Sequence, residues 1–322
     1  MRDLPERWTV VIFTARESAP VLAACVRAAL LACRGRRFVI DILVNGNRAL
    51  AEAGASLLAG LDGVGPDDLL RLWHVPLGDK AGAWNHYVHR LWPGADTAFF
   101  IDGYVEVAPD ALLRLHRALL AAPAALGASG VPTAGRSAGA LRRGMLEHGG
   151  IHGNLYALPA AAMAAMRDAP FRLPLGLYRT DALIGAALMY RLAPARHLWD
   201  NLNIVVDAGA TWSVRQAPAW SPGVLREQFR RRLRQAQGAL ENRAARDHLS
   251  VRRLAPALLA ATAAELVAAW IAARPTAARR LFLLQPLAWL AARRLRQPRD
   301  WSAAQRPPEL LATQPEKPVI FL

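Results

Sequence analysis

The feature that most constrains this chain is an alternation of short, continuously apolar runs with stretches of helical periodicity over its first 120 residues. Residues 8–14 (WTVVIFT), 38–44 (FVIDILV) and 97–102 (TAFFID) are rich in β-branched and aromatic side chains and lack an in/out alternation, and 70–75 reads as a further short strand. That pattern marks strands covered on both faces. Between and after them, residues 20–33, 48–61, 82–92 and 109–121 carry apolar residues at helical spacing, with Leu22, Val26, Leu30 and Cys33 on one stripe. Repeated β-α-β units predict a parallel sheet with helices on both faces. Ligand sites in such sheets lie beyond the carboxyl ends of the strands.

The loops at those ends exclude two common ligand classes. After the first strand stands Thr-Ala-Arg-Glu-Ser, with neither G-x-G-x-x-G nor G-x-x-x-x-G-K-[ST]. A dinucleotide enzyme or a P-loop ATPase is therefore not expected. Polar residues cluster there instead: Thr14 and Glu17, Asn45 and Asn47, Asp102 and Glu106. Carboxylates and amides converging on one edge suit a ribose or sugar and a divalent cation. Loop polarity alone would also place such residues at strand ends.

The segments IFTARE, DILVNGN, GDKAGAWNHYV, FFIDGYVEVAPDAL, GNLYAL and YRTDALIGAAL, in that order, resemble family 2 glycosyltransferases of the GT-A fold over roughly residues 8–235. The resemblance implies an α/β domain with a mostly parallel sheet and a nucleotide-diphosphate sugar as donor. It implies donor contacts at Thr14, Glu17, Asn45, Asn47, Lys80 and Asp102, with Asn45 standing where the family usually has a base-binding aspartate. Lys80 and Asn85 resemble the family's Gly-x-x-Lys-x-x-x-x-Asn helix start. Lys80 is one of only two lysines among 40 basic residues. Asp102-Gly103-Tyr104 occupies the place of the family's metal-binding Asp-x-Asp. The resemblance thus implies Mg²⁺ or Mn²⁺ at Asp102, with Glu106 as substitute for the carboxylate that Tyr104 replaces, although a neutral phenol is a poor ligand for either ion. Metal-independent transfer, with Lys80 or an arginine of the 230–234 cluster facing the leaving diphosphate, is the alternative.

Asp181, in Thr180-Asp181-Ala182-Leu183, matches the family's general base. Inverting displacement at an anomeric carbon needs one carboxylate to take the acceptor's proton. Asp181 also suits the N-cap of a helix over 182–190. Gly153 and Asn154 resemble the acceptor side, and Gln228 and Arg231 match part of the Gln-x-x-Arg-Trp signature, with Arg232 in place of the tryptophan. His148 and His152 stand four apart, but the glycines between them argue against a shared helical face and a zinc site.

Charge separates the last third. The chain carries a formal charge of +15, and residues 223–306 hold 17 Arg against 5 acids. Without a recognised RNA or DNA motif, nucleic acid is not an expected partner. Residues 254–273 are apolar but for Glu265, and 281–292 form a shorter apolar stretch. Both are bracketed by arginines and contain Trp270 and Trp289, which suits helices lying on an anionic membrane. Helices packed on the catalytic domain fit the same pattern. The expected organisation is a GT-A domain over 1–222, a basic helical extension over 223–296, and a proline-rich, poorly ordered tail over 297–322. Acids and a proline near the N-terminus leave no secretion signal. Free Cys25 and Cys33 suit a reducing compartment. The function implied is an inverting glycosyltransferase, cytoplasmic and peripheral at the inner membrane face, acting on a hydroxyl acceptor that is lipid-linked or a cell-envelope glycan. A catalytically impaired relative that binds sugar nucleotide or protein is the alternative.

Overall fold

A computed structural model describes residues 7–58, 60–135, 138–214 and 224–315, with side chains of the last stretch from residue 229 onward. Four strands, β1 (Arg7–Thr14), β2 (Arg37–Asn45), β3 (Leu69–Val75) and β4 (Thr97–Asp102), are parallel in the order β4-β1-β2-β3. Helices α1 (Ala19–Ala32), α2 (Arg48–Leu58) and α3 (Lys80–His86) make the crossovers, the last extended by a π-turn over Tyr87–Leu91. Further along come β5 (Val105–Val107), α4 (Ala111–Ala121), β6 (Gly127–Pro132), α5 (Ala138–His148), β7 (Leu155–Pro159), α6 (Ala160–Asp168), α7 (Thr180–Met189) and β8 (Ile204–Val214). With β9 (Glu309–Gln314), the described strands form one sheet in the order β5-β8-β6-β7-β4-β1-β2-β3-β9.

Burial follows the pleat. Val10 and Ile12 of β1 face the core shared with α1, α2 and α4, while Val11 and Phe13 face Trp84, Tyr87, Phe100 and Leu183 on the other side. Both faces being dry explains the unbroken apolar runs. The one acid inside them, Asp41 of β2, is fully buried and held by Arg71 (2.7 and 2.9 Å) and by the Trp73 indole N–H at 2.7 Å.

Two expectations for the C-terminal part are corrected. Residues 254–273 do not form one apolar helix. Thr262 and Glu265 make a capping box that starts α9 at Ala263 (Ala263–Ala273), so the single charge lies at a helix start and not mid-span. With α8 (Val224–Arg246), α10 (Pro275–Leu284) and α11 (Pro286–Leu295), α9 encloses a small core around Leu240, Leu266, Val267, Trp270 and Leu281. Among the described residues, no helix is long and apolar enough to cross a membrane. Nor is the tail unstructured up to Pro315. β9 pairs antiparallel with β3, covering the sheet edge, and Gln314 donates to the Leu61 carbonyl at 2.9 Å.

Candidate active site

A cleft of about 1060 Å³ opens beyond the carboxyl ends of β1, β2 and β4. Two glycines let its walls come together. At Gly46, with φ 69°, a Cβ would stand 2.3 Å from the Gly78 Cα, so the loop after β2 lies directly on the loop that leads into α3. At Gly103 a Cβ would stand 2.6 Å from the Thr14 Cβ, so the loop after β1 rests on the turn after β4.

Asn45 is buried at the cleft wall, and its side-chain oxygen has no hydrogen-bond partner among the described residues. A buried acceptor of that kind is costly unless a ligand supplies a donor. Asn47 also lines the cleft, but its amide is spent locally, donating to the Ala15 carbonyl (2.9 Å) and accepting from Leu50 N–H (3.0 Å) at the start of α2. Thr14 and Glu17 do not line it. The Glu17 carboxylate accepts from the Thr14 hydroxyl (2.6 Å) and from Ala15 and Arg16 N–H. Burial pushes its pKa up, but these hydrogen bonds outweigh that and hold it below the usual value. The pair shapes the loop. Asn85, on α3, is likewise structural, exchanging hydrogen bonds with the backbone of Leu173 at 2.9 and 2.8 Å.

At the end of β4, Asp102 forms a salt bridge with Lys80 and accepts from the Tyr104 hydroxyl at 3.1 Å. The same hydroxyl stands 3.1 Å from the side-chain oxygen of Asn154. Burial first, then the charge of Asp102, push the Tyr104 phenol well above its ordinary value, so it stays a neutral donor. Glu106 lies on β5 opposite Ser213 and is not part of the cleft lining. Among the described residues, no three His, Cys, Asp or Glu side chains are grouped so as to hold an ion. Of the ligands expected for an ion, Asp102 alone lines the cleft, engaged by an ammonium and a phenol, and an ion held there would take most of its oxygens from substrate phosphates. Cationic side chains are plentiful instead: Lys80, Arg231, Arg234, Arg294 and Arg299 all line the cleft.

Asp181 stands opposite. Its helix, α7, begins at Thr180 with Arg179 as N-cap, so Asp181 is inside the first turn and not the cap expected. Its carboxylate accepts from the Gly153 N–H at 2.9 Å. A Cβ at Gly153 would lie 3.4 Å from the Lys80 Nζ and 3.5 Å from the Asp181 Oδ2, so ammonium and carboxylate flank one small space. His152 roofs it, stacked on Trp212 with ring centroids 4.9 Å apart and its Nδ1 accepting from Asn154 N–H at 3.2 Å. Burial lowers the His152 pKa and keeps the ring neutral, against the pull of Asp181 and Asp102.

Of the residues singled out from the sequence, Asn45, Asn47, Lys80, Asp102, Gly153, Asn154, Asp181 and Arg231 share the cleft, and Thr14, Glu17 and Glu106 do not line it. Gln228 lies on α8 with its side chain outside the described residues. Glu241 was missed. Only 1% exposed, it accepts from Tyr178 N–H (2.9 Å) and Arg179 N–H (3.3 Å) and so holds the approach to α7. An acid among the arginines of a basic helix was its signal. Arg294 and Arg299 had none, because only tertiary folding returns them to the cleft.

No family model matches the sequence, and neither does any curated protein. Solved structures do. The chain is similar to a mannosyltransferase from Pyrobaculum calidifontis, solved with GDP-mannose and Mn²⁺, at 17% identity over 94% of this chain and 86% of that one, with a TM-score of 0.53. It is also similar to glucosyl-3-phosphoglycerate synthase from Mycobacterium tuberculosis, solved with Mn²⁺, UDP-glucose and phosphoglyceric acid, at 14% identity over 77% and 80% of the two chains, with a TM-score of 0.50. Sheet, crossovers and cleft together give this chain the GT-A fold of the nucleotide-sugar glycosyltransferases.

Proposed function

We propose that the protein is an inverting glycosyltransferase of family 2 that moves a sugar from a nucleotide-diphosphate donor to a hydroxyl acceptor, lipid-linked or in a cell-envelope glycan, at the inner membrane face. The observation that carries this reading is the pair Lys80 and Asp181 on either side of Gly153. Asp181 takes the proton of the acceptor hydroxyl as its oxygen bonds to the anomeric carbon. The bond from that carbon to the diphosphate oxygen breaks on the opposite face, and its electron pair leaves with the nucleotide. The charge that develops there is met by Lys80 and by arginines of the cleft, of which Arg231, Arg234, Arg294 and Arg299 are candidates. Asn45 offers its unpaired oxygen to a donor on the nucleotide base. With Asp102 engaged by Lys80 and Tyr104 and Glu106 away from the cleft lining, side-chain cations carry the work of charge neutralisation in this reading.

A binding module that holds sugar nucleotide without turnover is favoured by one observation, the engagement of Asp102 by both Lys80 and Tyr104. Incubation with UDP-, GDP- and dTDP-sugars, with Mn²⁺ and with EDTA, separates the two. Release or transfer of sugar supports the enzyme, and tight binding with no release over hours supports the module.

A further inference from the structure

Behind Asp181 the cleft has a neighbour. A second cavity of about 560 Å³ lies between α7 and α8, walled by Leu183, Ala186, Tyr190 and Trp199 on one side and by Ala245 and Leu249 on the other. Ala182 lines both this cavity and the cleft, so one residue of the first turn of α7, next to the proposed base, borders the two spaces. The lining is mostly hydrocarbon and aromatic ring, joined by Ser250 and by the exposed Asn242 and Arg246 of α8. Its one phenol is already satisfied, since the Tyr190 hydroxyl shares a hydrogen bond with Ser250 at 2.5 Å and the Tyr190 ring packs edge-on against Trp199 at 5.4 Å.

The chain beside the cavity continues the apolar character outward. Leu198 and Leu202 are 76% and 81% exposed, and Trp199 is half exposed. This is no frayed loop, because Arg253 fastens it through the carbonyls of Pro194 (2.7 Å) and Ala195 (3.4 Å). Three exposed apolar side chains within five residues, beside an apolar cavity, suit contact with something apolar. Against the Leu183, Ala186, Ala245 and Leu249 walls a sugar would lose its hydration and gain no hydrogen bonds in return. A hydrocarbon chain gains by the transfer, and the volume falls in the range of small-ligand sites.

We infer that this cavity takes the hydrocarbon part of the acceptor, an alcohol on an alkyl or prenyl chain whose hydroxyl reaches Asp181 past Ala182. The inference rests on the transferase reading, because it needs Asp181 to face the acceptor. It assigns the apolar side of the acceptor to a named space between α7 and α8, with Leu198 and Leu202 beside it on the lipid surface from which such an acceptor is drawn.

Calorimetric titration of the full chain with 1-butanol, 1-hexanol and 1-octanol tests it, alongside titration with UDP and GDP. Affinity should rise about fourfold for each methylene that enters the cavity. Ala186→Phe fills the space from α7 and Asn242→Trp closes it from α8, and each should abolish the chain-length dependence while nucleotide affinity stays within about twofold, the retained nucleotide binding reporting a folded protein. A flat series in the wild type, or a series that both variants leave intact, overturns the cavity assignment and leaves the transferase reading standing. Failure of the wild type to bind UDP, GDP and, in the same titration, dTDP overturns the transferase reading, and the acceptor role with it.

Discussion

The Asp181 carboxylate accepts the backbone N–H of Gly153 at 2.9 Å, which ties the first turn of α7 to the loop ahead of β7. A methyl at Gly153 would meet Lys80 and Asp181 at ordinary contact distances, 3.4–3.6 Å, so the backbone tolerates it. The methyl would nevertheless occupy the space where acceptor and donor meet. Gly153→Ala should change stability by less than about 0.5 kcal/mol and lower kcat by tenfold or more. Thermal unfolding and steady-state kinetics check this, and a wild-type kcat would show that the reaction does not use that space.

Tyr104 offers a second check. Replacing it with Asp puts a second carboxylate beside Asp102 and removes the phenol that donates to it. Tyr104→Asp should create a Mn²⁺ site detectable by calorimetry, and the wild type should bind nucleoside diphosphate equally well in EDTA and in Mn²⁺. A wild type whose nucleotide affinity falls tenfold or more in EDTA would refute the role given to the cationic side chains.

Glu241 supports the site from the C-terminal helices. Burial raises its pKa, while hydrogen bonds from Gln237, Tyr178 and Arg179 pull the other way. Glu241→Ala leaves the part-buried N–H groups of Tyr178 and Arg179 without their acceptor and should cost about 1 kcal/mol of stability. Glu241→Gln keeps an acceptor oxygen and should cost less. Urea unfolding of both variants checks the order, and equal losses would count against this reading.

His152 sets a pH dependence with a definite sign. Burial holds its folded pKa below the ordinary value of 6.5, so the unfolded chain binds the proton more readily. The stability contributed by the neutral ring is fully present above 6.5 and is lost as pH falls through the lowered folded value. The stability of wild type relative to His152→Phe should therefore be constant above pH 6.5 and decline below it. A difference that stays flat or grows on acidification would contradict the assignment.

Much of this was legible in the sequence because it is local. Runs such as WTVVIFT and TAFFID state their burial in consecutive residues, and β1 and β4 are found within a residue of the expected bounds. Asn45, Lys80 and Asp102 could be read as neighbours because parallel β-α-β units deliver successive strand ends to one edge. The long-range contacts could not be read. Glu309–Gln314 looks like a tail until β3 presents an open edge to pair with. Glu265 looks like a charge stranded in an apolar span until Thr262 makes it half of a capping box. Glu17 looks like a ligand until three hydrogen bonds from its own loop account for it.

The central claim is that Asp181 is the base of a sugar transfer. Nucleoside diphosphate release from a panel of UDP-, GDP- and dTDP-sugars, followed for wild type and Asp181→Asn, tests it most directly. Asn keeps the side-chain oxygen that accepts from Gly153, so folding stability should change by no more than about 1 kcal/mol. It cannot take a proton, so the rate should fall by roughly 10²–10⁴ with donor affinity nearly unchanged. A variant that releases nucleotide at the wild-type rate would contradict the assignment.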